Sequence, residues 1–172
     1  MNVNAQPVRP ARLLYSMGAP VAGDTLTNPT TKMPFATTYT PGIPANLLRV
    51  GDVLEVDCSV FFTFVGATTF TWELGIGATA LSFLTVGASG ANTYMHIKFI
   101  ATIVTVGSGG TLDWEGQFIG PASTIRATGN AALAVAIDTT VASIVALSVT
   151  NTTSNGGNTD ALMLMTVTHK PA

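Results

Sequence analysis

The sequence has 172 residues, of which seven are basic and nine are acidic, giving a formal net charge of −2, and 47% are hydrophobic. This length suits one domain with a single sizeable core. The near-neutral charge excludes the basic footprint of a nucleic-acid-binding protein, and the hydrophobic content excludes an acidic disordered chain.

Charged residues make up only 9% of the chain, against about a quarter in ordinary soluble domains. The surface must therefore consist largely of Thr, Ser, Asn, Gly and small apolar side chains. Such a surface offers little electrostatic protection against association. The composition predicts a subunit whose surface is covered by copies of itself or by a partner.

The first 32 residues predict an extended N-terminal arm. Prolines at positions 7, 10, 20 and 29 prevent a long helix or strand in this segment. We expect the arm to become ordered on a partner, with a disordered leader as the alternative. The residues expected to dock it are Arg9, Arg12, Leu13, Leu14 and Tyr15.

Residues 33–172 predict a domain of β-strands, because apolar and polar residues alternate with period two. In the first long strand, the apolar even positions from Leu54 to Phe64 are separated by polar residues such as Glu55 and Asp57. Gly and Asn clusters separate the strands, as hairpin turns do. The predicted strands are 33–39, 54–64, 69–76, 94–106, 111–118, 133–137, 144–150 and 161–168. The fold class is all-β, an antiparallel β-sandwich or jelly roll of about eight strands.

Two of these strands, 131–137 and 161–168, are apolar on both faces. A strand of this kind lies between two layers. In a two-sheet sandwich a neighbouring subunit can supply the second layer, and a covering loop or the N-terminal arm is the alternative. The residues assigned to a trimer interface on this basis are Ala132, Ala134, Ala136, Met163, Met165 and Val167.

No pattern of nucleophile and base indicates an enzyme. His96 lies on the polar side of its strand together with Tyr94 and Lys98, which is typical of a solvated sheet residue. His169 lies close to the C-terminus, where side chains are seldom held rigidly. Cys58 falls on the inward face of its strand beside acidic neighbours, so we expect a core residue and not a reactive thiolate.

Two carboxylate pairs, Glu55 with Asp57 and Asp113 with Glu115, each share one strand face. A glycosidase also uses paired carboxylates, so a hydrolase dependent on Asp113 is one hypothesis. The same spacing arises wherever a strand has a polar face, and we favour that interpretation. Trp72 and Trp114 fall on the apolar phase of their strands and predict buried side chains, with sugar stacking as the alternative.

The sequence contains no motif that indicates a cofactor, a metal site or a membrane span. It contains no phosphate-binding loop, no calcium loop and no zinc-ligand spacing, so no cofactor and no metal are predicted. The most apolar tracts, 131–137 and 142–149, are too short to cross a bilayer as helices, and no membrane partner is expected. A single cysteine excludes an internal disulfide.

Four motifs follow one another in a distinctive order from residue 43 onward. They are IPANLLRVGD at 43–52, TWELGI at 71–76, IVTVGSGGTL at 103–112 and IDTT at 137–140, and a Leu-Ser-Val-Thr strand with an Asn-rich turn follows. In this order the chain resembles the small jelly-roll structural proteins of tailed bacteriophages. Those proteins are similar in architecture to trimeric heads of the tumour-necrosis-factor type.

The resemblance implies a non-enzymatic virion protein made in the host cytoplasm. It implies a homotrimeric capsid decoration or cement subunit, or a head fibre, that binds the major capsid protein at the capsid surface. The alternative that it leaves open is the receptor- or carbohydrate-binding tip of a tail fibre or adhesin. A tip usually follows a fibrous shaft, and only the 32-residue arm precedes this domain, which favours the capsid subunit.

Overall fold

The computed structural model describes residues 9–17, 19, 21–25, 33–34, 42–63, 67–89, 93–119, 124–128, 135–151 and 159–172. These residues form thirteen strands and no helix. In chain order the strands are β1 (Arg12–Ser16), β2 (Val21–Thr25), β3 (Met33–Pro34), β4 (Gly42–Ile43), β5 (Val53–Thr63), β6 (Ala67–Ile76), β7 (Thr79–Ser89), β8 (Thr93–Thr105), β9 (Gly110–Ile119), β10 (Thr124–Thr128), β11 (Val135–Ile137), β12 (Ser143–Asn151) and β13 (Thr159–Lys170).

The strands form two antiparallel sheets. The larger sheet has the order β1-β13-β5-β8-β9-β10, with β2 also paired to β13 and β11 also paired to β9. The smaller sheet has the order β3-β12-β6-β7, with β4 also paired to β12. Their inner faces share one hydrophobic core. The predicted antiparallel β-sandwich is thus confirmed.

The core is built from alternate residues of the long strands, as a period-two pattern requires. The larger sheet supplies Leu54, Val56, Cys58 and Val60 from β5, and Ile97, Phe99, Ala101 and Ile103 from β8. The smaller sheet supplies Leu74, Ile76, Leu81, Val145, Leu147 and Val149. These side chains are almost completely buried, and burial of each large aliphatic side chain contributes about 1.5–3 kcal/mol.

Part of the segment predicted as an arm belongs to the larger sheet. β1 pairs with the C-terminal half of β13, and β2 pairs with its N-terminal half. Together they cover the backbone of β13, which would otherwise form an exposed sheet edge. Leu14 and Tyr15 pack against the core, and Met17 is buried in it. Each of these strands has five residues, so the prolines nearby do not prevent short strands.

One of the two apolar faces of β13 is covered by its own chain. Met165 and Val167 are 2% and 0% exposed and belong to the core, so their assignment to a trimer interface is corrected. The opposite phase of β13, with Leu164, faces outward. The sequence pattern could not distinguish the two faces, because both are apolar.

The described residues include no helix that is long and apolar enough to span a membrane.

Candidate functional site

Three loops meet at one end of the sandwich. They are 44–52 before β5, the turn 106–109 between β8 and β9, and 138–142 between β11 and β12. Thr139 joins them: its carbonyl accepts a hydrogen bond from Asn46 N at 2.9 Å, and its N–H donates to Gly107 O at 3.0 Å. Its hydroxyl also accepts from Gly107 N at 2.8 Å. We call this arrangement the loop cluster.

The loop cluster surrounds an open cleft of about 310 Å³. This volume lies at the lower end of the range of about 300–1,000 Å³ that is typical of small-molecule sites. The side chains and backbone that line it, here called the loop cleft, belong to Asn46, Leu48, Arg49, Val106, Gly107, Thr139 and Thr140. Three of the four motifs that carry the sequence resemblance, those at 43–52, 103–112 and 137–140, therefore contribute residues to this cleft.

The turn between β8 and β9 depends on a close approach of backbone at Gly110. A Cβ atom at this position would lie 2.8 Å from Thr105 O and 2.9 Å from Ile137 O. Only glycine fits between these two carbonyls. The contact fixes the β8–β9 hairpin against β11, and so holds two of the three loops in register.

Asp52 joins the loop cluster to both terminal segments of the described structure. Its side chain is buried, and Oδ2 accepts a hydrogen bond from Arg49 N at 3.0 Å. Oδ1 accepts from Ala172 N at 3.1 Å and lies 3.6 Å from Arg9 Nη1. His169 Nε2 lies 2.6 Å from Oδ2. One carboxylate therefore joins the first loop, the C-terminus and the segment before β1.

The surroundings of Asp52 favour its ionised form. Burial by itself raises the pKa of this carboxyl group, but the hydrogen bonds with His169 and from Ala172 N and Arg49 N outweigh it. The pKa of Asp52 is therefore lower than its ordinary value. An ionised, fully bonded carboxylate acts as a structural anchor and has no proton to donate near neutral pH.

His169 was expected to lie loosely near the C-terminus, and this prediction is wrong. Its side chain is 0% exposed, and its Nδ1 is buried without a hydrogen-bond partner in the described structure. The period-two alternation of β13 is the pattern that predicts this burial, because position 169 follows Met165 and Val167 on the inner face of the strand. A buried polar side chain requires a partner, and Asp52 is that partner.

The outer face of the larger sheet carries a charged group at its centre. Glu55 Oε1 lies 2.5 Å from Lys98 Nζ, and Glu55 also forms an ion pair with Lys170. His96 Nε2 lies 2.6 Å from Asp57 Oδ1. The hydrogen bonds from Lys170 and Lys98 lower the pKa of Glu55. Glu55 is therefore held ionised, which is unsuited to a general acid.

An apolar group lies beside these charges on the same outer face. The cross-strand register places Leu164, Ser59, His96 and Ile119 in one row across β13, β5, β8 and β9. Leu164 and Ile119 are each 41% exposed, and Tyr94 in the next row is 65% exposed. The Tyr94 ring packs against Phe61 with 4.8 Å between centroids. We call Phe61, Tyr94, Ile119 and Leu164 the outer apolar patch.

The other predicted site residues lie in separate places. Ala136 is exposed on β11; Ala132 and Ala134 lie outside the described residues, as does the side chain of Met163. Arg12 and Leu13 are exposed on β1. The residues expected to dock the arm thus divide between a contact with Asp52 (Arg9), the surface (Arg12, Leu13) and the core (Leu14, Tyr15).

Two residues considered for chemistry are packed inside. Cys58 is buried in the core as predicted, and burial together with the charge of Asp57 raises the pKa of its thiol. Trp114 is partly buried and stacks on Phe99, with 5.4 Å between ring centroids. The side chain of Trp72 lies outside the described residues. Among the described residues, no three His, Cys, Asp or Glu side chains are grouped to hold a metal ion.

No protein-family model matches the sequence, and no curated protein matches it. Among solved structures, arcelin-5, a lectin-like defense protein from Phaseolus vulgaris, is 8% identical with a TM-score of 0.48, covering 94% of this chain and 99% of that one. The CBM2 module of the evolved Dit of Lactobacillus casei BL23 phage J-1 is 7% identical with a TM-score of 0.41, covering 93% and 96%. Similarities of this size establish neither a family nor a function.

Proposed function

We propose that this chain is a non-enzymatic structural subunit of a virion. It forms a homotrimer and binds the major capsid protein at the capsid surface, as a decoration or cement protein does. The sequence resemblance to phage jelly-roll proteins and the low charged fraction of 9% support this function. The observation that carries it is the outer apolar patch on the larger sheet.

The outer apolar patch has the composition of a protein–protein contact. Its most exposed member is a tyrosine that packs against a second aromatic ring. Tyrosine is one of the residues that are enriched where binding energy concentrates in protein–protein interfaces. Leu164 and Ile119 lie at the two ends of the neighbouring row, with Ser59 and His96 between them. Apolar surface removed from water contributes about 25 cal/mol per Å², so covering these side chains stabilises an oligomer.

A second copy of this chain is the occupant that we propose for the patch. Beside the patch, Glu55 already forms an ion pair with Lys98, and Asp57 already forms a hydrogen bond with His96, within one chain, so these carboxylates need no partner from outside. A contact between copies can thus bury the apolar side chains without leaving those charges unpaired. The trimer interface moves accordingly from Met165 and Val167 to the opposite face of β13.

The chemistry of the described residues supports a structural role. His169 is enclosed in the core, and Glu55 is held by two lysines. Neither is arranged as an acid or base that a substrate can reach. A catalytic pair has a nucleophile hydrogen-bonded to its base. His96 lies opposite Ser59 in the sheet, but among the described residues its hydrogen bond is to the carboxylate of Asp57 and not to a hydroxyl or thiol.

The oligomer is tested by size exclusion with light scattering. We expect a trimer for the natural chain and a monomer for Tyr94→Lys or Leu164→Lys, because each places a charge in a covered apolar contact. Val141→Lys is the control, since Val141 is 52% exposed in the loop cluster. A monomeric natural chain, or a trimer in both patch variants, would contradict the proposed interface.

Binding to the shell is tested separately, by co-sedimentation with phage capsids that lack the protein. We expect the natural chain to sediment with the capsids and to raise the temperature at which they break open. A trimer that neither binds capsids nor stabilises them would contradict the decoration function while leaving the interface intact.

A further inference from the structure

The residues that line the loop cleft include one cation, Arg49. Among the described basic residues, Arg9, Lys98 and Lys170 each contact a carboxylate, whereas Arg12 and Arg49 form no ion pair with another described residue. Arg12 is exposed on β1, away from the cleft. In a sequence with only seven basic residues, Arg49 is therefore the positive charge that a concave site of the described structure can offer to a ligand.

The backbone that carries Arg49 is rigidly held. Arg49 N donates to Asp52 Oδ2 at 3.0 Å, and Arg49 O accepts from Asp52 N at 3.0 Å. On the other side of the cleft, Thr139 joins Asn46 to Gly107. The loops are thus positioned by bonds that leave the guanidinium of Arg49 unused. A site formed in advance loses less entropy when a ligand binds.

The rest of the lining combines polar and apolar groups. Asn46 offers an exposed side-chain amide, and Thr140 offers a hydroxyl whose proton is directed to Asp138 Oδ1 at 2.6 Å. Val106 is 47% exposed and supplies apolar surface, whereas Leu48 is largely buried in the core beneath the cleft. Sugars present the same mixture, with hydroxyl groups at the edge of the ring and C–H groups on its faces. A guanidinium, in turn, binds a carboxylate with two parallel hydrogen bonds.

We propose that the loop cleft binds a saccharide that carries a carboxylate, such as a uronic or sialic acid residue. Arg49 pairs with the carboxylate, Asn46 and Thr140 bond the hydroxyl groups, and Val106 packs against the ring. This site goes beyond the proposed structural function and does not depend on it, because the loop cleft lies at the end of the sandwich and the outer apolar patch on a sheet face.

Asp138 limits how the ligand can approach. The hydroxyl and backbone N–H of Thr140 lower the pKa of Asp138, which therefore remains ionised beside the loop. A carboxylate placed next to it would be repelled. The proposal thus requires the ligand carboxylate at Arg49, with the hydroxyl groups of the sugar toward Thr140.

The test is an NMR titration of the ¹⁵N-labelled full chain with D-glucuronate and with N-acetylneuraminate. Glucose and acetate, titrated up to about 50 mM, where weak ligands still bind, separate the sugar from the charge. The variants are Arg49→Gln, which removes the cation, and Asn46→Gly, which removes the amide but tolerates the positive φ of 57° at this position. Arg12→Gln is the control, since Arg12 is exposed on β1.

We expect at least one of the two acidic sugars to shift the resonances of residues 46–49, 106–107 and 139–140. Binding should weaken at least tenfold in Arg49→Gln, weaken in Asn46→Gly, and remain unchanged in Arg12→Gln. The proposal is overturned if neither acidic sugar shifts these residues, if Arg49→Gln binds as well as the natural chain, or if glucose or acetate binds equally well. None of these outcomes affects the test of the trimer.

Discussion

The buried pair of Asp52 and His169 connects segments that are far apart in the sequence. The Asp52 carboxylate contacts groups on three separate segments: Arg9 before β1, Arg49 in the first loop, and His169 with Ala172 at the C-terminus. Hydrogen bonds to a charged group contribute about 1.5–3 kcal/mol each, against the cost of burying the charge. The pair therefore stabilises the end of the sandwich where the loop cleft lies.

Asp52→Asn is expected to lower the free energy of unfolding at pH 7 by about 1–3 kcal/mol, because the amide presents donors to Arg49 N or Ala172 N. The folded-state pKa of Asp52 is below its ordinary value of 3.8. Its stabilisation is therefore complete above the unfolded-state pKa and is lost as the pH falls through the folded-state pKa. Urea unfolding at pH 7 and at successively lower pH measures the difference.

The difference between the natural chain and Asp52→Asn should shrink as the medium is acidified below the ordinary pKa of the group. Asp113→Asn, on the outer face of β9, is the control and is expected to cost less at pH 7. A difference of the same size at every pH would show that Asp52 contributes through its shape and not through its charge.

At the scale of elements, the β8–β9 hairpin depends on one glycine. The carbonyls of Thr105 and Ile137 approach so closely at Gly110 that a methyl group has no room. The neighbouring Gly109 has open space where its Cβ would be. The chain therefore offers two adjacent glycines, of which one is required by packing and the other is not.

Gly110→Ala is expected to destabilise the chain by about 1–3 kcal/mol, the usual cost of overpacking. It should separate the hairpin from β11 and so loosen the loop cluster. Gly109→Ala is the matched control and should unfold within a few degrees of the natural chain. Thermal unfolding followed by circular dichroism compares them, and equal midpoints for the two variants would contradict the close approach seen at Gly110.

At the scale of the whole molecule, the N-terminal segment completes the larger sheet. β1 and β2 cover one edge of β13, and Met17 is part of the core. Removal of this segment would expose a long strand edge, which promotes association with other chains. Its role in stability must therefore be separated from any role in binding the capsid.

Deletion of residues 1–17 is expected to lower the free energy of unfolding and to cause aggregation, because it removes β1, Arg9 and Met17 together. Deletion of residues 1–8 is the control, since it retains all three. Urea unfolding and light scattering report the two effects. If the longer deletion were as stable and as soluble as the shorter one, the pairing of β1 with β13 would contribute nothing to the domain.

The sequence by itself determined the fold class and most of the strand interior. The alternation from Leu54 to Val60 assigned the inner face of β5 correctly, and each of the eight predicted strands corresponds to a strand of the structure, because period two is a local property of the chain. Five of the described strands are not predicted from the sequence: β1, β2, β4, β7 and β10. For β1 and β2, the prolines nearby argue against a long strand, and both strands are short, with five residues each.

Only the tertiary structure decided which apolar face of β13 is internal and where the functional surfaces lie. Met165 and Leu164 are both apolar, and their environments differ only through the position of the second sheet. His169 and Asp52 are 117 positions apart in the chain. Thr139 likewise bonds to two loops that are distant from it in the chain, through Asn46 and Gly107. Long-range contacts of this kind depend on how the sheets pack, and local periodicity carries no information about them.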